Sequence, residues 1–342
     1  MKVKNVLKFL TTSTVIMAMT FSLAGCGSEE ISTSKSNDSS EETSTVQATS
    51  ENAKIIYVIA PNSGESWGRL GDGFEKACEE VGWEGHFTAP VQATNSGNVE
   101  MVEMTETAIN NGADVIMLFV EDQELFADVL TEAKEKGIYT VALAKPCDYC
   151  DLRVGADDTD LGHCLAEALV ECSKSDDIHV MEMMTDVTSF GQLGQITPFE
   201  EKLAEIAPSA EIVGRDDCDS SADATDKLSA TYLAHPELNA MITVASEAVT
   251  GGAAFVSDYG LEDEFTLIGF DDTAEVLNAV KDGTLSCTVS AQWYTIGYTA
   301  VQDVYDILEN GAEYEYSQSI PARIIYPDDV DAYAEEMGID LN

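Results

Sequence analysis

The chain has 342 residues and is 44% hydrophobic, enough for one large or two medium domains with a proper core and too apolar for a disordered protein. Its 63 acidic residues stand against 17 basic ones, a formal net charge of -46. A surface of that sign repels nucleic acid and anionic membrane, which argues against both as partners.

The N-terminus carries Lys2, Lys4 and Lys8 ahead of an uncharged, largely apolar stretch from Phe9 to Leu23. A positive head, an apolar run and small residues at its end form the secretory signal pattern. The run is short for the roughly 20 residues that a retained span needs. Leu23-Ala24-Gly25-Cys26 resembles the lipobox of bacterial lipoproteins. That resemblance implies a signal peptide over 1–25, cleavage before Cys26 and lipid on that cysteine, hence membrane attachment. Gly27 to Asn52 is rich in Ser, Thr and Glu, so the segment 26–53 reads as a disordered, lipid-anchored tether that cannot repay its ordering entropy. Together these features place the protein outside the cytoplasmic membrane.

From Lys54 onward short apolar runs alternate with helical patterns. "KIIYVIA" (54–60), "ADVIMLFV" (113–120) and "GIYTVALA" (137–144) read as buried strands, separated by segments with apolar residues at helical spacing. The rhythm restarts with "DIHVMEMM" (177–184), "EIVG" (211–214), "LNAMITV" (238–244) and "FTLIGF" (265–270), with helices beginning near Phe199, Ala222 and Glu247. Near-continuous Val/Ile/Leu strands between helices indicate parallel sheets covered on both faces, so the fold class is α/β with two doubly wound, Rossmann-like lobes. Ligands of such sheets sit beyond the carboxyl ends of the strands. That rule selects Asn62 to Trp67 (with Ser66), Glu121-Asp122, Ala144-Lys145, Thr185 onward, Ser246-Glu247 and Asp271.

Several stretches, in order, resemble one family. "YVIAPNSGESWGRLGDGFEKACEEVGW", "NNGADVIMLFVED", "VGADDTDLG", "LAHPELNAMIT" and "IGFDDTAEVLNAVKDGTLSCTV" are similar to segments of ribose/galactose-type periplasmic binding proteins of type I, the substrate-binding lipoproteins of ABC importers. The resemblance spans about Lys54 to Tyr326. It implies two lobes joined by a three-strand hinge, 54–156 with 292–321 and 157–291 with 322–342, closing over a small-molecule ligand. It further implies a monomer that delivers a sugar to an ABC permease and needs no cofactor. By the same resemblance Trp67 stacks on the sugar ring, Asp271 accepts hydrogen bonds from its hydroxyls, and Glu247 opens a helix where relatives place a polar contact.

Other positions depart from the pattern. Ala144-Lys145 stands for an Asp-Arg pair, and the region from Gln192 to Gln195 for an arginine. Ala245-Ser246 replaces Asn-Asp, and the hinge glutamine falls near Ala291-Gln292. Losing a guanidinium fork removes a planar hydrogen-bond geometry that Lys or Gln cannot reproduce. The carboxylates Asp157, Glu247 and Asp271 with Trp67 also suit a cationic or amine-bearing ligand.

Competing function classes find less support. The histidines 86, 163, 179 and 235 are scattered, and no base beside a nucleophile emerges, so the reading is of a non-enzyme without a resident metal. "CDYC" (147–150) has C-x-x-C spacing and reads as a loop disulfide or two plain thiols. Besides Cys26 the cysteines are 78, 147, 150, 164, 172, 218 and 287, an odd number that leaves at least one thiol unpaired within a monomer. Cys78 and Cys172 fall on apolar helical faces as small hydrophobes. Presentation of the ligand to a membrane sensor instead of an importer is the alternative role. Asp272, three residues before Glu275, is expected to cap a helix and leave Asp271 to the ligand.

Overall fold

In a computed structural model, which describes residues 41–50, 52–90 and 97–341, the first lobe is built on a seven-stranded sheet. The leader, the lipobox with Cys26 and most of the tether lie outside the described residues. The described residues belong to one compact unit, and none of their helices is long and apolar enough to cross a membrane.

The first sheet has the order β1 (Glu41–Val46), β3 (Glu84–Pro90), β2 (Ile55–Ile59), β4 (Val115–Phe119), β5 (Tyr139–Leu143), β6 (Leu152–Ala156) and β12 (Ser317–Ile320). All neighbours run parallel except β1, which pairs antiparallel with β3 along Glu41↔Pro90 to Val46↔Gly85. The end of the expected tether is therefore an edge strand: Ser44 and Thr45 hydrogen-bond to Glu75 and His86, so pairing supplies what the polar composition lacks. Helices α1 (Glu65–Val81), α2 (Gly97–Asn110), α3 (Gln123–Glu135) and α9 (Trp293–Asn310) pack on this sheet.

The second sheet runs β13 (Arg323–Ile325), β11 (Cys287–Ser290), β10 (Thr266–Phe270), β9 (Ala240–Thr243), β7 (His179–Met184) and β8 (Glu211–Asp217), parallel except for β13. It is covered by α4 (Asp158–Cys172) and α5 (Phe190–Ile206) on one face, and by α6 (Ser221–Ala234), α7 (Ser246–Tyr259), α8 (Ala274–Lys281) and α10 (Val330–Met337) on the other. The chain passes between lobes at 156–158, 290–293 and 320–323, the three crossings of a hinge.

The strands form where apolar residues are continuous, because both faces are covered: Ile56, Val58 and Ile59 are fully buried. Helix starts coincide with caps, as Asp122, Asp157, Ser189, Ser220 and Thr273 each accept a backbone N–H of the first turn. Helix α5 begins nine residues before the start expected near Phe199, capped by Ser189. Pro198 lies inside α5, where it has no N–H to give to the helix ladder. The cap of α8 is Thr273, whose hydroxyl accepts from Val276 N at 3.3 Å, not Asp272. Asp272 is fully buried instead, accepting from Ser290 Oγ at 2.8 Å and from the Tyr333 hydroxyl.

Helices α1 and α9 approach unusually closely because both present glycine at the contact. A Cβ on Gly73 would lie 2.0 Å from Tyr294 O, and one on Gly297 2.1 Å from Leu70 O. This contact fixes the start of α1 against the start of α9, and both starts face the cleft between the lobes.

Candidate functional site

Strand ends and helix starts from both lobes converge on a cleft of about 910 Å³. The first lobe contributes Asn62 after β2, Glu65, Ser66 and Trp67 at the start of α1, Phe119 at the end of β4 and Glu121 after it, and Lys145 after β5. The second contributes Asp158 at the start of α4, Asp186 after β7, Gln192 and Gln195 in α5, Glu247 in α7, and Asp271 after β10. Trp293 enters from the second crossing. The geometry is that of the carboxyl-end crevice of open α/β sheets, present twice and face to face.

One wall is aromatic. Trp67 packs edge-on to Phe119 with centroids 5.1 Å apart, and tilted against Trp293 at 4.7 Å. The three rings hold one another, so a ligand meets a pre-formed apolar face rather than mobile side chains. Trp293 also donates its indole N–H to Asp271 Oδ1 at 2.9 Å, and Ser66 donates to Asp271 Oδ2. Asp271, 4% exposed, is thereby held from the opposite lobe. Its φ of 87° is unusual for a residue with a Cβ. The peptide N–H to Val289 O at 2.9 Å and Thr288 Oγ1 to Asp271 O at 2.8 Å hold that turn.

The opposite wall is polar and charged. Lys145 Nζ reaches Asp158 Oδ1 at 2.7 Å and Gly191 O at 3.0 Å across the cleft, and Gln195 Nε2 adds a 3.4 Å contact to Asp158. Lys145 points inward because Ala144, φ 61°, centres a γ-turn closed by Lys145 N to Leu143 O at 2.7 Å. The turn is over-determined. Arg153 donates to Ala144 O through Nε at 2.9 Å and Nη2 at 2.6 Å, and Gly155 lies against it where a Cβ would come within 2.4 Å of Ala144 Cα. Burial within the hinge lowers the Arg153 pKa from its ordinary value, with the carboxylates Asp157 and Asp158 opposing that shift. Smaller bridges join the lobes elsewhere: Ala274 N to Glu65 Oε1 at 3.3 Å, Ser189 Oγ to Glu121 Oε1 at 3.5 Å and Arg69 Nη2 to Met337 O at 2.6 Å. The lobes thus meet around the cleft, aromatic on one side and rich in acceptors on the other.

A family model described as "Periplasmic binding protein domain" matches residues 56–313, which spans both lobes. The chain belongs to the periplasmic binding protein family. Among relatives of this binding protein, the D-xylose-binding periplasmic protein of Escherichia coli (strain K12) is 22% identical over 302 residues, covering 83% of this chain and 88% of the relative. Among solved structures, the glucose-galactose binding protein GanP of Geobacillus stearothermophilus superposes with a TM-score of 0.71 at 22% identity, covering 82% of this chain and 99% of that one. An ABC transporter solute binding protein from Burkholderia graminis C4D1M, in complex with D-arabinose, gives 0.74 at 17% identity, covering 83% and 99%. The two-lobed architecture is that of type I binding proteins of the sugar type.

Of the residues singled out in the sequence, Asn62, Ser66, Trp67, Lys145, Gln195, Glu247 and Asp271 line the binding protein's cleft. Three do not. Asp122 caps α3, accepting from Glu124 N at 3.1 Å, while its neighbour Glu121 faces the cleft. Asp157 caps α4 through Thr159 N at 2.8 Å, and Asp158 is the carboxylate that reaches inward. Gln292 takes a left-handed φ of 57° and turns its amide to Pro321 O at 2.7 Å, which delivers Trp293 instead. In each case the residue before or after the chosen one occupies the site. Gln192 lines the cleft but is engaged by Thr185 N, Asp186 N and Val244 O at 3.0–3.1 Å, so it braces the loop after β7. One motif escaped the sequence reading: Gly64-Glu65-Ser66-Trp67-Gly68 has the G-x-S-x-G spelling of a nucleophile elbow at a strand-to-helix turn. Ser66 there donates to Asp271, the acceptor position a general base would need.

Proposed function

We propose that this protein is the extracytoplasmic, lipid-anchored solute-binding component of an ABC importer, a carrier rather than an enzyme, closing its lobes over a pentose or hexose and presenting it to a permease. The observation that carries this reading is the composition of the cleft. A sugar ring has an apolar face and a rim of hydroxyls. Trp67 and Trp293 supply the flat apolar counterpart, and Asp271, Glu247 and Asn62 supply hydrogen-bond partners around it. The D-xylose and D-arabinose of the relatives' names belong to this ligand class. Lipid at Cys26 keeps the carrier at the membrane. Replacement of Cys26 by Ala is expected to release the protein into the soluble fraction, and retention in the membrane would contradict the anchor.

A second reading rests on charge. Glu65, Glu121, Asp186, Glu247 and Glu275 line the cleft, while the cleft's Lys145 is already paired with Asp158. That excess favours a ligand bearing an amine. Titration of the purified protein with neutral sugars and with amino sugars separates the two. Binding of neutral sugars that is insensitive to salt supports the first reading. Binding confined to amines and weakened by salt supports the second.

A further inference from the structure

Seven cysteines among the described residues carry free thiols, and the ligand site uses none of them. Two of them stand apart. Cys172 ends α4 and Cys287 opens β11, with their sulfurs 3.7 Å apart although 115 positions separate them in the chain. Of the two, Cys172 was expected to be plain apolar packing. Cys287 is fully buried, whereas Cys172 is half-buried and reachable by a small reagent. From the structure we infer that Cys172 and Cys287 form a redox-active dithiol that closes to a disulfide stapling the second lobe.

A disulfide needs an S–S separation of about 2.05 Å, so the sulfurs must approach by only roughly 1.6 Å, within reach of a χ1 adjustment on the half-buried partner. The pairing with Cys287 lowers the Cys172 thiol below its ordinary value, with Lys174 adding to the shift, while Cys287 is raised by the same pairing and by burial. Cys172 is thus the attacking sulfur and Cys287 the resolving one. The Cys172 thiolate attacks one sulfur of a small organic disulfide, forming a mixed disulfide and expelling one thiolate. Cys287 then loses its proton and attacks the Cys172 sulfur, forming the internal bond and expelling the second thiolate. The external disulfide is reduced to two thiols and the protein loses two hydrogens.

The position gives the bond a consequence. Helix α4 follows the first hinge crossing and brings Asp158 to the cleft, and β11 precedes the second crossing and leads to Trp293. The staple joins these two elements at the ends remote from the cleft, so it stiffens the lobe as one body and leaves the binding surface unchanged. Closure of the pair is a property of the fold and does not rest on the ligand reading. Its occurrence in the cell requires only the oxidising conditions outside the cytoplasmic membrane.

The test equilibrates reduced wild-type protein with oxidised glutathione, denatures it in an alkylating agent, and maps peptides after cleavage with trypsin and a glutamyl endopeptidase. Cleavage at Glu167 and Glu171 separates Cys164 from Cys172. The expected product is a linked pair of peptides carrying Cys172 and Cys287, converted to two alkylated peptides by dithiothreitol. Oxidation should raise the Tm of the wild type by about 5 °C, the size expected of a long closed loop in a chain of this length. The same treatment of Cys172→Ser should leave its Tm unchanged apart from any contribution of Cys147 and Cys150, and the corresponding Cys147→Ser protein should retain the rise. Alkylation of both Cys172 and Cys287 after oxidation, or a stable glutathione adduct on Cys172 with Cys287 alkylated, would overturn the inference.

Discussion

Trp67 was singled out by its place after the first strand, and the structure adds what the sequence could not supply: its partners. Phe119 and Trp293 come from 52 and 226 positions further on, and only the parallel sheet and the second crossing bring them to Trp67. If these rings form the face on which a sugar stacks, Trp67→Ala and Trp293→Ala should each weaken sugar binding about 10- to 100-fold, the range of a lost aromatic anchor. Calorimetry would check both, with circular dichroism to show that the fold persists. Three residues chosen from the sequence lie beside one that lines the cleft: Asp122 beside Glu121, Asp157 beside Asp158 and Gln292 beside Trp293. At a strand end each successive residue points a different way, and cap formation decides which carboxylate is spent on the backbone. Composition cannot distinguish two adjacent aspartates. The separation of Asp271 from Asp272 was legible because only the first ends the apolar run, although the cap itself passed to Thr273.

Among the elements, the strongly apolar strands were legible and the weakly patterned ones were not. Continuous runs such as 113–120 announce a strand buried on both faces, whereas β3, "EGHFTAP", mixes Gly, Pro and polar residues and is a strand by virtue of pairing between β1 and β2. The contact of α1 with α9 is likewise invisible to periodicity, since glycine carries no hydropathy signal. Gly297→Ala places a methyl group 2.1 Å from a backbone carbonyl that no rotamer change can move. It should destabilise the protein by about 2 kcal/mol or more, read as a fall in urea midpoint, while exposed alanine substitutions on α9 leave it unchanged.

Strand β7 holds another element-scale feature. Glu182 is fully buried beside Arg215, whose Nε lies 2.7 Å from Oε2, and Oε1 has no hydrogen-bond partner. Burial pushes its pKa up to about 7, with Arg215 pulling the other way. The folded value exceeds the unfolded one, so the native state holds the extra proton and this group's contribution falls as pH rises from about 4.5 to 7. Glu182→Gln removes that slope. The stability of the variant relative to wild type should therefore rise by about 1–3 kcal/mol across that window and stay constant above it, checked by Tm against pH for the two proteins.

At the scale of the whole molecule, two lobes followed from the restart of the strand–helix rhythm, and the three crossings from the family resemblance. How the lobes meet did not, because the contacts join residues far apart in sequence. Lys145 with Asp158, and Ser66 and Trp293 with Asp271, tie the two lobes together around the cleft. Removing one tie should shift the population towards open lobes. Lys145→Met is expected to enlarge the radius of gyration in small-angle scattering without sugar, and to lower affinity by no more than the lost fraction of closed molecules.

The most direct test of the central claim is calorimetric titration of the chain from residue 37 onward, which keeps β1, with a panel of pentoses and hexoses. The account predicts saturable binding of at least one of them at one site per chain, abolished or weakened at least about 10-fold in Trp67→Ala. No heat from any sugar, with Tm equally unmoved by each, would contradict it.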